Sequence, residues 1–256
     1  MQVFSTASAV QAGIYDHALW GAPDALVNWC EPDYTHFSFI AETFNTLSNL
    51  YAVIIGLVLY VHYKPLEMRF RVMALLISTI GIGSLAFHGT LKYHMQLMDE
   101  LPMLYSGMSM AYIVLEMPYK KQRYPSLPLY LILICIALTI GHILLKNAEA
   151  FFAVYGLLLI PAIGYTVFIK HDATVDKAMK TALVYLIVGF VCWELDRFFC
   201  PQVQDYHLHS VWHVCMSISG QYWLNAMAYT RLKSLGIPSS LIYNGFLISL
   251  NGKKDV

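Results

Sequence analysis

The chain has 256 residues, 58% of them hydrophobic and only 12% charged, with a formal net charge of zero and a mean hydropathy of +0.55. A soluble domain of this size normally carries about 25% charged residues. The apolar surplus excludes an ordinary soluble core, and the balanced charge gives no reason to expect a nucleic-acid partner.

A spanning helix needs about 20 mainly apolar residues, which leaves room for six or seven spans joined by short loops. Residues 1–20 lack a basic n-region, and their apolar stretch is broken by Ser5, Thr6, Ser8 and Gln11, so no cleaved signal peptide is expected. A polar cluster follows at Asn28-Trp29-Cys30-Glu31-Pro32-Asp33-Tyr34, with Glu42 just inside the first apolar run. Oxygen ligands crowded at Asn28, Glu31 and Asp33, with a carboxylate one helical entry later, suit a hard cation such as Ca2+. The same residues equally suit a solvated acidic loop that caps the first helix.

Apolar runs then recur at roughly 40–62, 72–91, 97–116, 127–145, 150–169, 180–196 and 208–230. Lys64-Pro65, the stretch Pro118 to Pro128, Lys146-Asn147 and Lys170 to Lys180 interrupt them. The pattern predicts an all-α membrane protein with seven transmembrane helices and no second soluble domain. Glu42, Asn45 and Asn49 fall on one helical stripe and are expected to face the bundle. Asn45, Thr46 and Asn49 also read as interhelical hydrogen-bond partners. Leu241 to Leu250 is too brief to span, which suits a place at the membrane interface. The expected organisation is an N-terminal segment over 1–37 carrying the cation cluster, a helical bundle over 38–232 and a tail over 233–256.

Basic residues set the orientation. With seven spans, one side holds only Lys92, Lys146 and Arg197, while the other holds the remaining thirteen, from Lys64, Arg69 and Arg71 through Lys120 to Lys253 and Lys254. The basic-rich side is the cytosolic one, so the N-terminus is expected in the lumen or exterior and the C-terminus in the cytosol. Six spans would put both termini on one side and spoil this bias. Cys135, Cys192 and Cys215 fall inside spans and read as small soft hydrophobes. Cys30 and Cys200 both fall on the lumenal side, where an oxidising compartment permits a disulfide; two free thiols are the alternative.

Ionisable groups at membrane depth are expensive, and each needs a reason to be there. Four lie near the lumenal ends of predicted spans: His88 at the end of the second, Asp99 at the start of the third, His209 and His213 at the start of the seventh. The second span runs toward the lumen and the other two run away from it, so all four arrive at a similar depth. His209 and His213 are spaced i,i+4, so both rings project from one helical face and can close on one ion. His88 would be the third ligand. Three protein ligands with an open water position make a catalytic zinc site, where four would make a structural one. Ser84 lies one turn before His88 on the same face, placed to meet a bound water or an oxyanion, and Asp99 could accept and return a proton. Taken singly, each histidine reads as well as a hydrogen-bonded packing residue or a relay member. His17, His36, His62, His94, His142, His171 and His207 read as loop or interface residues with no assigned role.

A family resemblance rests on these residues. Trp29-Cys30-Glu31, Ala41-Glu42 and Asn45-Thr46-x-Ser48-Asn49 resemble the N-terminal signature of the alkaline ceramidases. Gly83-Ser84-x-x-x-His88-x-Thr90-Leu91, Gln96-Leu97-x-Asp99-Glu100-x-Pro102-Met103 and His209-x-x-Trp212-His213 continue the match in order, from about Gly21 to Tyr229. The block from Leu91 to Met103 is most similar to the type-three (phytoceramidase) branch. The resemblance implies a seven-helix intramembrane hydrolase of the endoplasmic reticulum or Golgi, cleaving ceramide to a sphingoid base and a fatty acid. It implies Zn2+ on His88, His209 and His213, with Ser84 and Asp99 completing the catalytic site. It also implies Ca2+, as a structural or regulatory ion, on Asn28, the Trp29 backbone oxygen, Glu31, Asp33 and Glu42. In such a site zinc lowers the pKa of its water from about 15.7 toward about 7, which makes a nucleophile for the amide carbonyl.

One departure stands out. Where the type-three enzymes have Asp-Trp-Cys-Glu-Glu-Asn, this chain has Asn28-Trp29-Cys30-Glu31-Pro32-Asp33, so an acid and an amide have traded places. The family also has a lumenal disulfide, which fits Cys30 and Cys200. Two rival readings remain: a seven-helix receptor of the adiponectin-receptor type, which should show the opposite topology, and a transporter using His and Asp as a proton relay, which should bind no metal. The GPI-remodelling lipases, of the same superfamily as the ceramidases this chain resembles, are a more distant third reading.

Overall fold

The computed structural model describes residues 15–63, 66–119, 121–244 and 247–252. Residues 1–14 of the N-terminal segment, Pro65 of the break after the first run, and Lys64, Lys120, Lys253 and Lys254 of the basic-residue argument lie outside that set. The described helices are α1 (Thr43–Ser48), α2 (Leu50–His62), α3 (Met68–Thr90), α4 (Tyr93–Glu116), α5 (Leu127–Leu145), α6 (Ala148–Phe168), α7 (Ala173–Phe198), α8 (Cys200–Val203) and α9 (Leu208–Ser234), with a 3-10 turn at Gln204–Tyr206. An antiparallel hairpin follows, β1 (Ser239–Asn244) pairing with β2 (Leu247–Gly252) so that Ser239 faces Gly252.

Among the described residues, five stretches are long and apolar enough to cross a membrane: Thr43–His62, Met68–Thr90, Leu127–Leu145, Ala148–Phe168 and Ala173–Phe198. With 24 and 27 residues, α4 and α9 are long enough at about 1.5 Å per residue but more polar. Their polar groups are turned inward: Gln96, Asp99, Glu100 and Glu116 of α4, and His209, His213, Gln221, Asn225 and Arg231 of α9, are all buried. The opposite holds for α5, where His142 is the one buried residue and Leu129, Ile132, Leu133, Ile136 and Ile140 are exposed. Such a surface is what a bilayer covers, since no water-facing helix gains by it.

The principal packing is α9 on α7, α4 on α3 and α3 on α2, around a core that includes Phe70, Ala74, Ile113, Met179, Leu224 and Met227. Gly83 lets α3 approach α4 so closely that a Cβ there would lie 2.1 Å from the Met98 carbonyl oxygen. The α3–α4 turn passes through Leu91 in the left-handed region, φ 53°. That costs a non-glycine residue on the order of 1 kcal/mol. It is offset by full burial of Leu91 with Ala25, Ala41 and Phe87, and its carbonyl accepts the N–H groups of Asp24 and Ala25, both at 3.1 Å. Bonds from Leu26 N–H to Gln96 Oε1 and from Tyr93 N–H to Asp24 Oδ1, both 2.6 Å, also tie the N-terminal segment over this end of the bundle.

The hairpin departs from the all-α expectation. An argument from span length alone passes over it. Leu250 is buried in the core, the His62 ring meets its carbonyl, and Tyr243 donates to the Thr174 carbonyl at 2.8 Å.

Candidate functional site

His88 ends α3, and His209 and His213 begin α9, so the three rings meet at the end of the bundle covered by the N-terminal segment. Their ligand nitrogens lie within 4.8 Å of one another, and ring centroids are 4.5 to 5.1 Å apart. Among the described residues this is the one group of three or more His, Cys, Asp or Glu side chains gathered so tightly. Each ring is held from outside. The Glu42 carboxylate accepts from His88 Nδ1 at 2.5 Å, leaving buried Nε2 without a partner. His213 Nδ1 meets Ser48 Oγ at 2.8 Å, while Ser48 itself donates to the Asn45 carbonyl at 3.0 Å. Asn49 Nδ2 lies 3.1 Å from the same nitrogen, so Ser48 and Asn49 together fix Nδ1 from outside. His209 stacks under the Trp29 indole, centroids 3.7 Å apart and planes 18° from parallel, and its buried Nδ1 has no partner. Neutral imidazoles with orphaned nitrogens facing a common centre fit a zinc ion, and a carboxylate behind one ligand is the usual orienting partner.

Ser84 and Asp99 approach each other across the α3–α4 contact that Gly83 permits. Both line, with Trp29, His209 and His213, a cavity of about 580 Å3. Below them the cavity runs between α3, α4, α6, α7 and α9, walled by Met73, Ile77, Met103, Leu159, Ile163 and Leu186. Its size suits a small-molecule site and its walls suit hydrocarbon.

The N-terminal cluster is looser. Glu31 uses both carboxylate oxygens on backbone N–H groups of Phe44 and Asn45, each at 2.8 Å, and so caps the start of α1. Glu42 accepts the Trp29 N–H at 3.2 Å through its other oxygen. Asp33 Oδ2 accepts from Tyr15 at 2.7 Å and from Asn28 Nδ2 at 3.2 Å. Asn28 Oδ1 and Asp33 Oδ1 are buried with no partner, an arrangement that fits a cation better than a solvated loop. Burial, then the Glu42 charge, pushes the Asp33 carboxyl from 3.8 up to about 6. Glu31, Asp33 and Glu42 do not converge as the histidines do, so a cation here would draw on amide and carbonyl oxygens as well.

The Cys30–Cys200 disulfide is formed, with Cα atoms 5.3 Å apart. Several residues that matter here were given no role from the sequence. Ser48 backs His213, and Tyr155 lines the cavity with its hydroxyl in reach of Ser106. Asp196 accepts the N–H groups of Cys30 and His209. His142, given no role above, pairs with Glu100 at 2.6 Å. Asp196, Glu100 and His142 carry the same signal that marked Asp99, an ionisable group inside an apolar run.

The sequence profile of the ceramidase family matches residues 21–246. This chain belongs to the ceramidase family. Among its relatives, alkaline ceramidase 3 of Mus musculus is 30% identical over 231 residues, covering 83% of this chain and 86% of the mouse protein. Alkaline ceramidase of Arabidopsis thaliana is 28% identical, covering 86% of this chain and 89% of the plant protein. Alkaline ceramidase of Drosophila melanogaster is 27% identical, covering 81% and 78%. The ceramidase profile thus spans both the histidine triad and the N-terminal cluster.

Proposed function

We propose that this ceramidase-family chain is a zinc-dependent intramembrane amidase that hydrolyses a ceramide-class lipid to a sphingoid base and a free fatty acid. One observation carries the reading: three mutually close histidines, two of them with orphaned buried nitrogens, sit at the head of an apolar cavity that also holds Ser84 and Asp99. Zn2+ on His88, His209 and His213 would supply a Lewis acid and a water acidified toward neutral pH. This chain's own side chains do the rest. Asp99 accepts the proton that the attacking water gives up. The Ser84 hydroxyl donates to the carbonyl oxygen as charge builds there, a contact worth about 3 kcal/mol. As the C–N bond breaks, Asp99 returns the proton to the leaving amine, so one water is divided between a carboxylic acid and an amine. The apolar walls take the hydrocarbon chains and keep bulk water away.

Ca2+ is assigned to Asn28, the Trp29 carbonyl, Glu31, Asp33 and Glu42, with Glu42 joining the two ions because it touches both Trp29 and His88. The architecture that goes with this is seven crossings, the bent α1–α2 rod being the first, with α4 and α9 among them. The N-terminal segment 1–37 lies in the lumen of the endoplasmic reticulum or Golgi, 38–232 is the hydrolase bundle, and 233–256 is a cytosolic tail. The basic-residue split supports this orientation, and a disulfide at Cys30 fits an oxidising lumen. Membership of the ceramidase family favours neither the receptor nor the relay reading. The test is sphingoid-base release from a ceramide panel by wild type and His213→Ala, with zinc measured in the same samples. Release and zinc should both collapse in the variant; an unchanged rate would overturn the mechanism.

A further inference from the structure

Asp196 belongs to neither candidate metal set, yet like Glu42 it is a buried carboxylate that ties the N-terminal segment to the histidines. Near the C-terminal end of α7, it is 3% exposed. Its Oδ1 accepts the His209 N–H at 3.2 Å and its Oδ2 accepts the Cys30 N–H at 3.1 Å. His209 is the second residue of α9, where backbone N–H groups have no intrahelical partner, so the first bond fixes the backbone that carries the ring. The second is one of three grips on Cys30. Its sulfur is bonded to Cys200, and its carbonyl accepts from Gln204 Nε2 at 3.2 Å. Cys30 is therefore held through N–H, carbonyl and sulfur to the corner where α7 gives way to α8. Trp29, the next residue, is thereby placed with its indole flat on the His209 ring.

We infer that Asp196 is a positioning residue that sets the orientation of the His209 imidazole from two sides, through the backbone of α9 and through Cys30 and Trp29. The inference rests on the zinc reading of the three histidines. Both partners of Asp196 are N–H donors, so the position needs two acceptor oxygens. Asparagine offers one oxygen and one NH2 group, and would set a donor against a donor. A buried donor left unmatched is what displaces the segment.

The test is cobalt(II) substitution of the full-length protein in detergent micelles, because the visible bands of cobalt report ligand geometry. Wild type should show the intense bands of a four-coordinate site. Asp196→Asn should show weaker, shifted bands, lose cobalt to a chelator at least about tenfold faster, and lower kcat with little change in KM. Asp196→Glu, which keeps both acceptor oxygens, should recover much of the spectrum. Thermal unfolding of metal-free samples controls for folding, and Asp196→Ser replaces the asparagine variant should that one fail to fold. Indistinguishable spectra and metal-loss rates for wild type and the neutral variant overturn the inference, as does a glutamate variant no better than the neutral one. A wild type that takes up no cobalt overturns the zinc reading itself, and the role of Asp196 with it, so the two failures are told apart.

Discussion

At Asp33 a proton and a cation compete for one carboxylate, which makes the N-terminal cluster testable by pH. Its carboxyl is raised from 3.8 to about 6, first by burial and next by Glu42, against opposing hydrogen bonds from Tyr15 and Asn28. Cation binding requires the ionised form. The apparent affinity should therefore fall by a factor of 1 + 10^(pKa − pH), about 1.1 at pH 7 and about 11 at pH 5, roughly a tenfold loss from this residue alone. Without the cation the sign reverses. The folded pKa lies above the unfolded one, so Asp33 contributes stability that is present below about pH 4 and lost as pH rises through about 6, with a ceiling of roughly 3 kcal/mol. Calcium titrations by calorimetry, and thermal unfolding with chelator or with saturating calcium, read the two slopes on detergent-solubilised protein. The Asp33-dependent part of melting temperature should fall with pH over this window in chelator and flatten or rise in calcium. Asp33→Asn should remove both components. An Asp33→Asn protein whose calcium affinity keeps the wild-type pH slope would refute the reasoning.

Two further predictions concern the α3–α4 contact. Ser84→Ala should lower kcat by about 100- to 1000-fold with KM and zinc content little changed, since the hydroxyl acts on charge that appears only as the amide is attacked. Gly83→Ala should lower the unfolding free energy by about 1–3 kcal/mol and cut kcat while leaving zinc content intact. The reason is geometric: the new Cβ would lie 2.1 Å from the Met98 carbonyl oxygen and 2.7 Å from the Asp99 nitrogen, which forces apart the pair of helices that brings Ser84 to Asp99. Unfolding curves and steady-state kinetics on the same preparations check both.

Much of the helical layout was legible because an apolar run about 20 residues long has few alternatives. The run at 127–145 coincides with α5, and that at 150–169 with α6 to within two residues. The division of the first run into α1 and α2 at Asn49 was not legible, because it depends on the Asn49 side chain reaching the Asn45 carbonyl at 2.8 Å and on no break in hydropathy. The histidine triad could be anticipated from an i,i+4 pair and a matching depth, both local or topological facts. Its supports could not. Glu42 reaches His88 across 46 positions, Ser48 reaches His213 across 165, and Asp196 reaches Cys30 across 166. No periodicity links residues so far apart; only the packing of the N-terminal segment, α1, α3, α7 and α9 sets those pairs. Asp196, Glu100 and His142 carry a signal by type, an ionisable residue in an apolar run, but nothing local to them assigns a role.

The division of labour among the helices follows from the same cost. α4 and α9 are not among the five stretches apolar enough to cross a membrane, and they carry Asp99, His209 and His213. A polar group in an apolar helix is tolerated where it faces partners, so the helices that bear the candidate chemistry must be surrounded by others. α9 packs on α7, α1, α2 and α3, and α4 packs on α3, α5 and α6. By contrast α5, which contributes nothing to the cavity lining, leaves most of its surface exposed. Burial is thus distributed by chemistry and not by hydrophobicity: in this bundle the most apolar helices are outermost. Glu42 takes the rule to its limit. Fully buried at the mouth of α1, it takes the Trp29 N–H on Oε1 and both Asn45 and His88 on Oε2, so its charge is matched by three donors where an unmatched carboxylate oxygen would be costly.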